Sequence, residues 1–334
     1  MSARATRFAL FLAPATLAFA VIPGQAVELK LAHYVPALHL SHTEVLAPWA
    51  KEVAERSKGG LTIRIFPASQ LGGTPPGYYK MVTGGVSEMT MFSPNLTPGV
   101  FPRTSVIELP VPPKNSQHAG RILDALWDKY IAADYKDVKF LAHWAIDEFI
   151  VATKNKPIRT MDDMKGMKVR SPSNTQNKVM QALGAVPVNM PITDVFSAMD
   201  TGTVEGVSGG ASVVFSFKII DVGRHYTFGL PLSPTTTALA MNKKTWEGLS
   251  AAHKKIIDDT APGLSLAGAK AYDKKSAEAV DFMKSKGREV IRVSEAEELR
   301  MQRAAAPIIE AWIGEMEKQG IPGREMWQAR LKVQ

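Results

Sequence analysis

The chain has 334 residues, 45% of them hydrophobic and 22% charged, with a formal net charge of +8 and no cysteine. Disulfides, thiolate metal sites and a cysteine nucleophile are therefore excluded, and stability has to come from buried core. The basic excess is scattered, as in Lys254-Lys255 and Lys274-Lys275, with no basic stripe interleaved with aromatics, which argues against a nucleic-acid partner.

Residues 1–26 read as an export signal. Arg4 and Arg7 give a positive start, Phe8 to Ile22 is largely apolar, and Gly24-Gln25-Ala26 offers small residues at a cleavage site. Pro14 and Pro23 interrupt that run, which falls short of the roughly 20 residues needed to span a bilayer. No later segment is apolar for long enough to cross, so the expected mature chain starts at Val27, lies outside the cytoplasmic membrane, and does not itself span it. It is long enough for two domains of ordinary size.

From Val27 the pattern alternates as in a strand to His33. Glu44 to Arg56 then places Val45, Leu46, Trp49 and Val53 on one helical face, and Gly59-Gly60 ends it. Leu61 to Phe66 is a second strand, closed by Pro67. Helix and strand alternate again through Pro75 to Thr83, Ser87 to Phe92, Ser116 to Tyr135 and Val138 to Ile146, which is α/β grammar with helices covering a mostly parallel sheet. A second α/β unit begins after Ile150: a turn from Thr160 to Gly166, a strand Lys168 to Arg170, a helix Asn174 to Leu183, a strand Val186 to Val188 and a helix Ile192 to Met199. A strand at Leu239 to Asn242, helices to Lys286, a strand Glu289 to Val293 and a C-terminal helix complete the chain. Pro262-Gly263 and Pro307 are expected to interrupt the late helices, and Ile308, Trp312 and Met316 to form core.

Four groups of residues bear on chemistry. In the stretch from Met164 to Pro172, Arg170 ends a short strand just before the chain turns into a helix, where its planar guanidinium can grip the two oxygens of a carboxylate. His33, His39 and His42 fall within ten residues and raise a periplasmic metal-binding alternative, although the spacing is not a helical pair and polar loop residues are the simpler reading. Gly206-Val207-Ser208-Gly209-Gly210 matches the G-x-S-x-G nucleophile elbow of serine hydrolases, yet the downstream partners, Asp221 with His225 or His253, are poor and no HGGG-like segment is evident. Asp147-Glu148 reads as a solvated charge pair, because adjacent strand residues point to opposite faces. Phe92, Phe149, Phe215 and Phe217, taken singly, read as core.

The order and separation of several short pieces then carry a resemblance. Phe66-Pro67-Ala68-Ser69-Gln70-Leu71-Gly72, Glu108-Leu109-Pro110, Lys156-Pro157-Ile158, the block from Asp163 to Arg170, Gly184-Ala185, Met190-Pro191 and Thr203-Val204-Glu205-Gly206 together resemble the solute-binding proteins of tripartite ATP-independent periplasmic (TRAP) transporters, over nearly all of the chain beyond residue 26. The resemblance implies an α/β periplasmic binding protein with two lobes, mixed and mostly parallel sheets, a hinge, and long helices towards the C-terminus. Lobe I would comprise 27–147 with 236–275, and lobe II 148–235 with 276–334. It implies no enzyme and no cofactor: the lobes close on a small organic carboxylate in the periplasm and deliver it to the membrane subunits of a TRAP permease.

By the same resemblance Arg170 grips the solute's carboxylate. Asn174 and Thr236 are expected as hydrogen-bond donors, and His33, Tyr34 and His39 at the mouth of lobe I. Two departures stand out: many members of the family carry a second arginine where this chain has Phe149-Ile150, and an asparagine where it has Gly209. A pocket without those polar groups, lined by Phe92, Phe149 and Phe215, is expected to favour an acid with an apolar or aromatic body.

Overall fold

A computed structural model describes residues 26–334, so all but the last residue of the expected export signal lies outside the described residues. Eleven strands follow in chain order: β1 (Val27–Ala32), β2 (Leu61–Phe66), β3 (Met89–Phe92), β4 (Val138–Ala145), β5 (Phe149–Thr153), β6 (Lys168–Ser171), β7 (Val186–Asn189), β8 (Gly206–Gly210), β9 (His225–Phe228), β10 (Thr236–Asn242) and β11 (Glu289–Arg292). They form a five-stranded sheet in the order β2-β1-β3-β10-β4 and a six-stranded sheet in the order β11-β9-β5-β8-β6-β7. Both are mixed: β10 runs antiparallel to β3 and β4, and β5 antiparallel to β8 and β9.

The period-two alternation of strands sorts side chains between faces. In β10, Leu239 and Met241 join Trp49, Val53 and Ile257 on one side of the first sheet, while Ala238 and Ala240 meet Tyr78, Ile122 and Leu123 on the other. The second sheet is likewise covered on both faces, with Val169, Val179 and Met301 in one core and Val207, Tyr226 and Met283 in the other. Two cores on two sheets make the two-lobed α/β architecture.

The chain passes between the lobes at residues 146–148 and 229–235, and again along the helix Gly263–Ser285. Leu264 and Tyr272 of that helix belong to the first lobe's core, Ala279 and Met283 to the second's. Pro262 caps this helix and Pro307 opens the helix Pro307–Lys318, as the sequence predicts. Two other details differ. The run from Ser116 ends at Trp127 and resumes as a short 3-10 turn, Ile131–Tyr135. The division at 275/276 also falls inside a helix. Within 276–334, Ile308 packs with the second sheet, whereas Trp312, Ile313, Met316, Ile321 and Met326 pack with the first.

In each sheet the parallel strands β1, β2, β3 and β6, β7, β8 share a direction. Open α/β sheets bind ligands outside the carboxyl ends of such strands. The residues just beyond β1 and β3 face those at the ends of β6 and β8 across the space between the lobes.

Candidate ligand-binding site

Arg170 is delivered by local structure that its sequence encodes. Thr160 and Asp163 form a capping box over the turn Met161–Met164, and Gly166 takes φ +73 to lead into β6. Met164, Met167 and Val169 anchor the segment in the core. Arg170 pairs with Val188 on one side and Val207 on the other, and Pro172 then halts the strand. Its side chain is 4% exposed. Nε donates to Met190 O at 2.9 Å and Nη1 to Ser208 O at 3.0 Å. Burial lowers its pKa to about 10, opposed by the nearby Tyr34 and Asp194, so it stays cationic at neutral pH. Asp194 acts through space without an ion-pair contact. Two of the five guanidinium N–H donors are thus used to fix the group, which lines a cavity and has no other side-chain hydrogen bond among the described residues.

That cavity lies between the lobes. The first lobe contributes Tyr34, Val35, His39 and Ser41 after β1, Met91, Ser93, Asn95 and Leu96 around the end of β3, and Thr235 and Thr237 at β10. The second contributes Phe149, Arg170, Pro172, Ile192, Gly209, Gly210, Ser212, Val213 and Phe217, with Tyr272 from the helix that spans both. Most of this wall is apolar, and Arg170 is the only lysine or arginine on it among the described residues. Tyr34 and Ser93 share a hydrogen bond of 2.6 Å. Burial and the neighbouring His42 lower the pKa of His39 to about 4, leaving its imidazole neutral at neutral pH.

Of the residues expected at the site, Tyr34, His39, Phe149, Arg170 and Gly209 are brought together on this wall. Five others are placed elsewhere. Phe92 alternates with Met91 in β3 and so turns into the opposite face, against Tyr79, Phe101 and Tyr135. Phe215 stacks on Phe282 at 4.7 Å, with Lys275 over its ring, and Phe217 takes the place on the wall. Thr236 is buried on the other side of β10, while its neighbours Thr235 and Thr237 face the cavity. Asn174 is exposed beside a separate surface cleft, because it follows the helix cap Ser173 rather than the strand end. His33 is buried behind the wall and hydrogen-bonded to His42 at 2.9 Å.

Sequence reasoning missed Ser93, Asn95 and Tyr272. The first two sit in Ser93-Pro94-Asn95, directly after a buried strand that a proline stops, which is a legible signal. Tyr272 reads as one more apolar position of a long helix.

Gly209 and Gly210 have different reasons to be glycine. A Cβ at Gly210 would lie 2.2 Å from Asp147 Oδ1, so no side chain fits, whereas one at Gly209 would meet only Val213 at 3.9 Å. The absent side chain at Gly209 therefore leaves room in the cavity. Asp147 is not the solvated group its neighbour Glu148 led the sequence to suggest. It is buried, accepts from the Ser212 backbone N–H at 2.7 Å and hydroxyl at 2.8 Å, and is pushed up to about 7 by burial. Glu148 pairs at the surface with Arg292.

The two alternative chemistries find no geometry here. Ser208 sits within β8 rather than on a strand-to-helix elbow, and its hydroxyl donates to Gln176 Oε1 at 2.9 Å, with no histidine beside it. His39 packs edge-on to Phe217 and Tyr272 and shares no side-chain hydrogen bond with the His33–His42 pair, and no three metal-ligating side chains converge among the described residues.

The lobes are held together across the cleft. Asn95 Nδ2 donates to Pro172 O at 2.9 Å, Lys178 pairs with Glu315 at 2.6 Å, and Glu108 lies buried against the Ser173 hydroxyl, its pKa pushed up to about 7 by burial.

Comparison with known proteins places the chain in a family. A marine metagenome TRAP solute-binding protein from an unidentified microbe, specific for aromatic acid ligands and solved with metahydroxyphenylacetate, is 30% identical with a TM-score of 0.87, covering 92% of this chain and 98% of that one. A TRAP solute-binding protein from Rhodoferax ferrireducens, solved with copurified benzoate, is 28% identical with a TM-score of 0.87, covering 91% and 96%. The 2,3-diketo-L-gulonate-binding periplasmic protein YiaO of Escherichia coli is 26% identical over 299 residues, 87% of this chain and 88% of its own. The model for bacterial extracellular solute-binding protein, family 7, matches residues 31–315. Two lobes, a buried arginine at a strand end between them and this continuous match identify the chain as a member of that family, the solute-binding proteins of TRAP transporters.

Proposed function

We propose that the protein is an exported, non-enzymatic receptor that captures a small organic acid with an apolar or aromatic body in the periplasm and hands it to a TRAP permease. The observation that carries this reading is Arg170: a buried guanidinium, fixed by two backbone carbonyls, on the wall of an otherwise largely apolar cavity between two lobes. A buried cation without a contacting counter-ion is costly, and a bound carboxylate would supply the missing charge with matching fork geometry. Phe149-Ile150 and Gly209, where the resemblance implies an arginine and an asparagine in many members, leave the rest of the solute facing Phe149, Phe217, Ile146, Val213 and Met91. Such walls favour a ring or an alkyl body over a polyhydroxylated one, because each buried hydroxyl would need a partner. The metagenome and Rhodoferax relatives, which hold aromatic acids, support the same preference.

A thermal-shift screen of the mature chain against a carboxylate library tests this. Ligands that bind only the folded state stabilise it by RT ln(1 + [L]/Kd), about 2.7 kcal/mol at a hundredfold excess over Kd. Benzoates and phenylacetates are expected to raise the melting temperature more than sugar acids do. The opposite order would remove the proposed preference, and no shift with any carboxylate would remove the receptor reading.

A further inference from the structure

Among the polar groups that the described residues bring to the cavity wall, His39 is the one aromatic N–H donor. His39 is 6% exposed and lines the cavity. The backbone N–H of Ser41 donates to its Nδ1 at 3.1 Å, so Nδ1 presents its lone pair and the hydrogen of the neutral ring is carried by Nε2. Phe217 and Tyr272 pack edge-on against the imidazole, with centroids 5.9 and 6.2 Å away, and hold its plane. No hydrogen bond joins Nε2 to any acceptor among the described residues. The cavity therefore offers one cation, Arg170, and elsewhere on its wall a neutral N–H donor in a fixed orientation.

We propose that His39 is a specificity-determining residue whose Nε2–H donates to an oxygen on the body of the solute, so that the preferred ligands are ring-bearing monocarboxylates with a hydroxyl, ether or carbonyl substituent. This rests on the reading of the chain as an organic-acid receptor and narrows it. An unsubstituted ring packed against His39 would leave a buried N–H donor unpaired, which costs free energy, whereas an oxygen at that position completes it. A second carboxylate is disfavoured, because it would face an imidazole held neutral by burial with no further lysine or arginine to receive it.

Titration calorimetry at neutral pH decides the matter, with benzoate, 3- and 4-hydroxybenzoate, 3- and 4-methylbenzoate and isophthalate on the mature chain and on His39→Phe and His39→Gln. In the unsubstituted protein at least one hydroxybenzoate should bind about tenfold more tightly than the methylbenzoate of the same pattern, and isophthalate more weakly than benzoate. His39→Phe should bring the hydroxy-to-methyl ratio close to one, and His39→Gln, which keeps an N–H, should retain part of it. Equal affinities within both pairs, tighter binding of isophthalate, or an unchanged ratio in His39→Phe would overturn the assignment. If His39→Phe fails to fold, the ratios in the unsubstituted protein and in His39→Gln decide it. Binding of other carboxylates but of none of these benzoates overturns this inference and leaves the receptor reading standing, and binding of no carboxylate overturns both.

Discussion

Arg170 and Ser208 are joined across two parallel strands: the Nη1 of the first donates to the backbone carbonyl of the second at 3.0 Å. With Met190 O holding Nε from another side, the guanidinium is oriented before any ligand arrives. Fixing the fork in advance lowers the ordering cost of binding, and enclosure between the lobes keeps water from weakening the ion pair.

The Asn95 Nδ2–Pro172 O bond of 2.9 Å joins the two lobes. Asn95→Ala should weaken ligand binding by about tenfold, the worth of one net hydrogen bond, chiefly through faster release. Stopped-flow dissociation and calorimetry check this. Unchanged release would mean that the contact does not help to hold the lobes shut.

Glu108 links binding to pH. With the lobes in contact, burial raises its pKa to about 7 from an ordinary 4.5, opposed by the Ser173 hydroxyl of the other lobe. Opening should return it towards the ordinary value. The closed state then holds more protons, so this contribution to affinity is fully present below about 4.5 and is lost as pH rises through about 7. Affinity for a benzoate should fall between about pH 5.5 and pH 7, by at most about tenfold per unit, and level off above. Glu108→Gln should flatten that slope, and a slope that survives in the variant would assign it to another group.

Room at Gly209 is a feature of this chain that can be filled. Because a Cβ there meets only Val213 at 3.9 Å, Gly209→Asn should fold with near-normal stability while placing an amide in the cavity. Binding of an unsubstituted aromatic acid should drop by about 1–3 kcal/mol, the cost of burying an amide without a partner, and calorimetry with benzoate reads it.

Much of this was legible in the sequence where a local pattern decides the outcome. Arg170 could be read because core residues at Met164, Met167 and Val169 fix the strand and Pro172 ends it. The late helix breaks at Pro262 and Pro307 follow from the missing N–H of proline. What was not legible depends on face and partner. Thr236 differs from Thr235 and Thr237 only by strand register, and a shift of one residue turns a side chain to the other face. Phe215 and Phe217 lie at the end of a short helical turn and pack on Phe282 and His39, far away in sequence. Strand β8 carries three glycines in five residues and reads as a loop, yet it is fully buried between β5 and β6. The return of Pro307–Lys318 to the first lobe is a tertiary event that no local pattern announces.

That return carries stability. Trp312 is buried in the first lobe's core and its Nε1 donates to Ser105 Oγ at 2.7 Å. Trp312→Ala should destabilise the protein by about 3–5 kcal/mol, the range for truncating a large buried aromatic, as read by urea denaturation. A loss well under that range would show that the terminal helices are not integral to the first lobe.

The guanidinium of Arg170 as carboxylate anchor is tested most directly by titrating an acid that stabilises the unsubstituted protein into Arg170→Ala and Arg170→Lys. The alanine variant should lose about 2–5 kcal/mol of binding, since it leaves the acid buried without its partner. The lysine variant should lose less but still fall well short, because the charge remains while the fork that bonds Met190 O, Ser208 O and the ligand is gone. Folded variants that bind the acid with undiminished affinity would contradict the account.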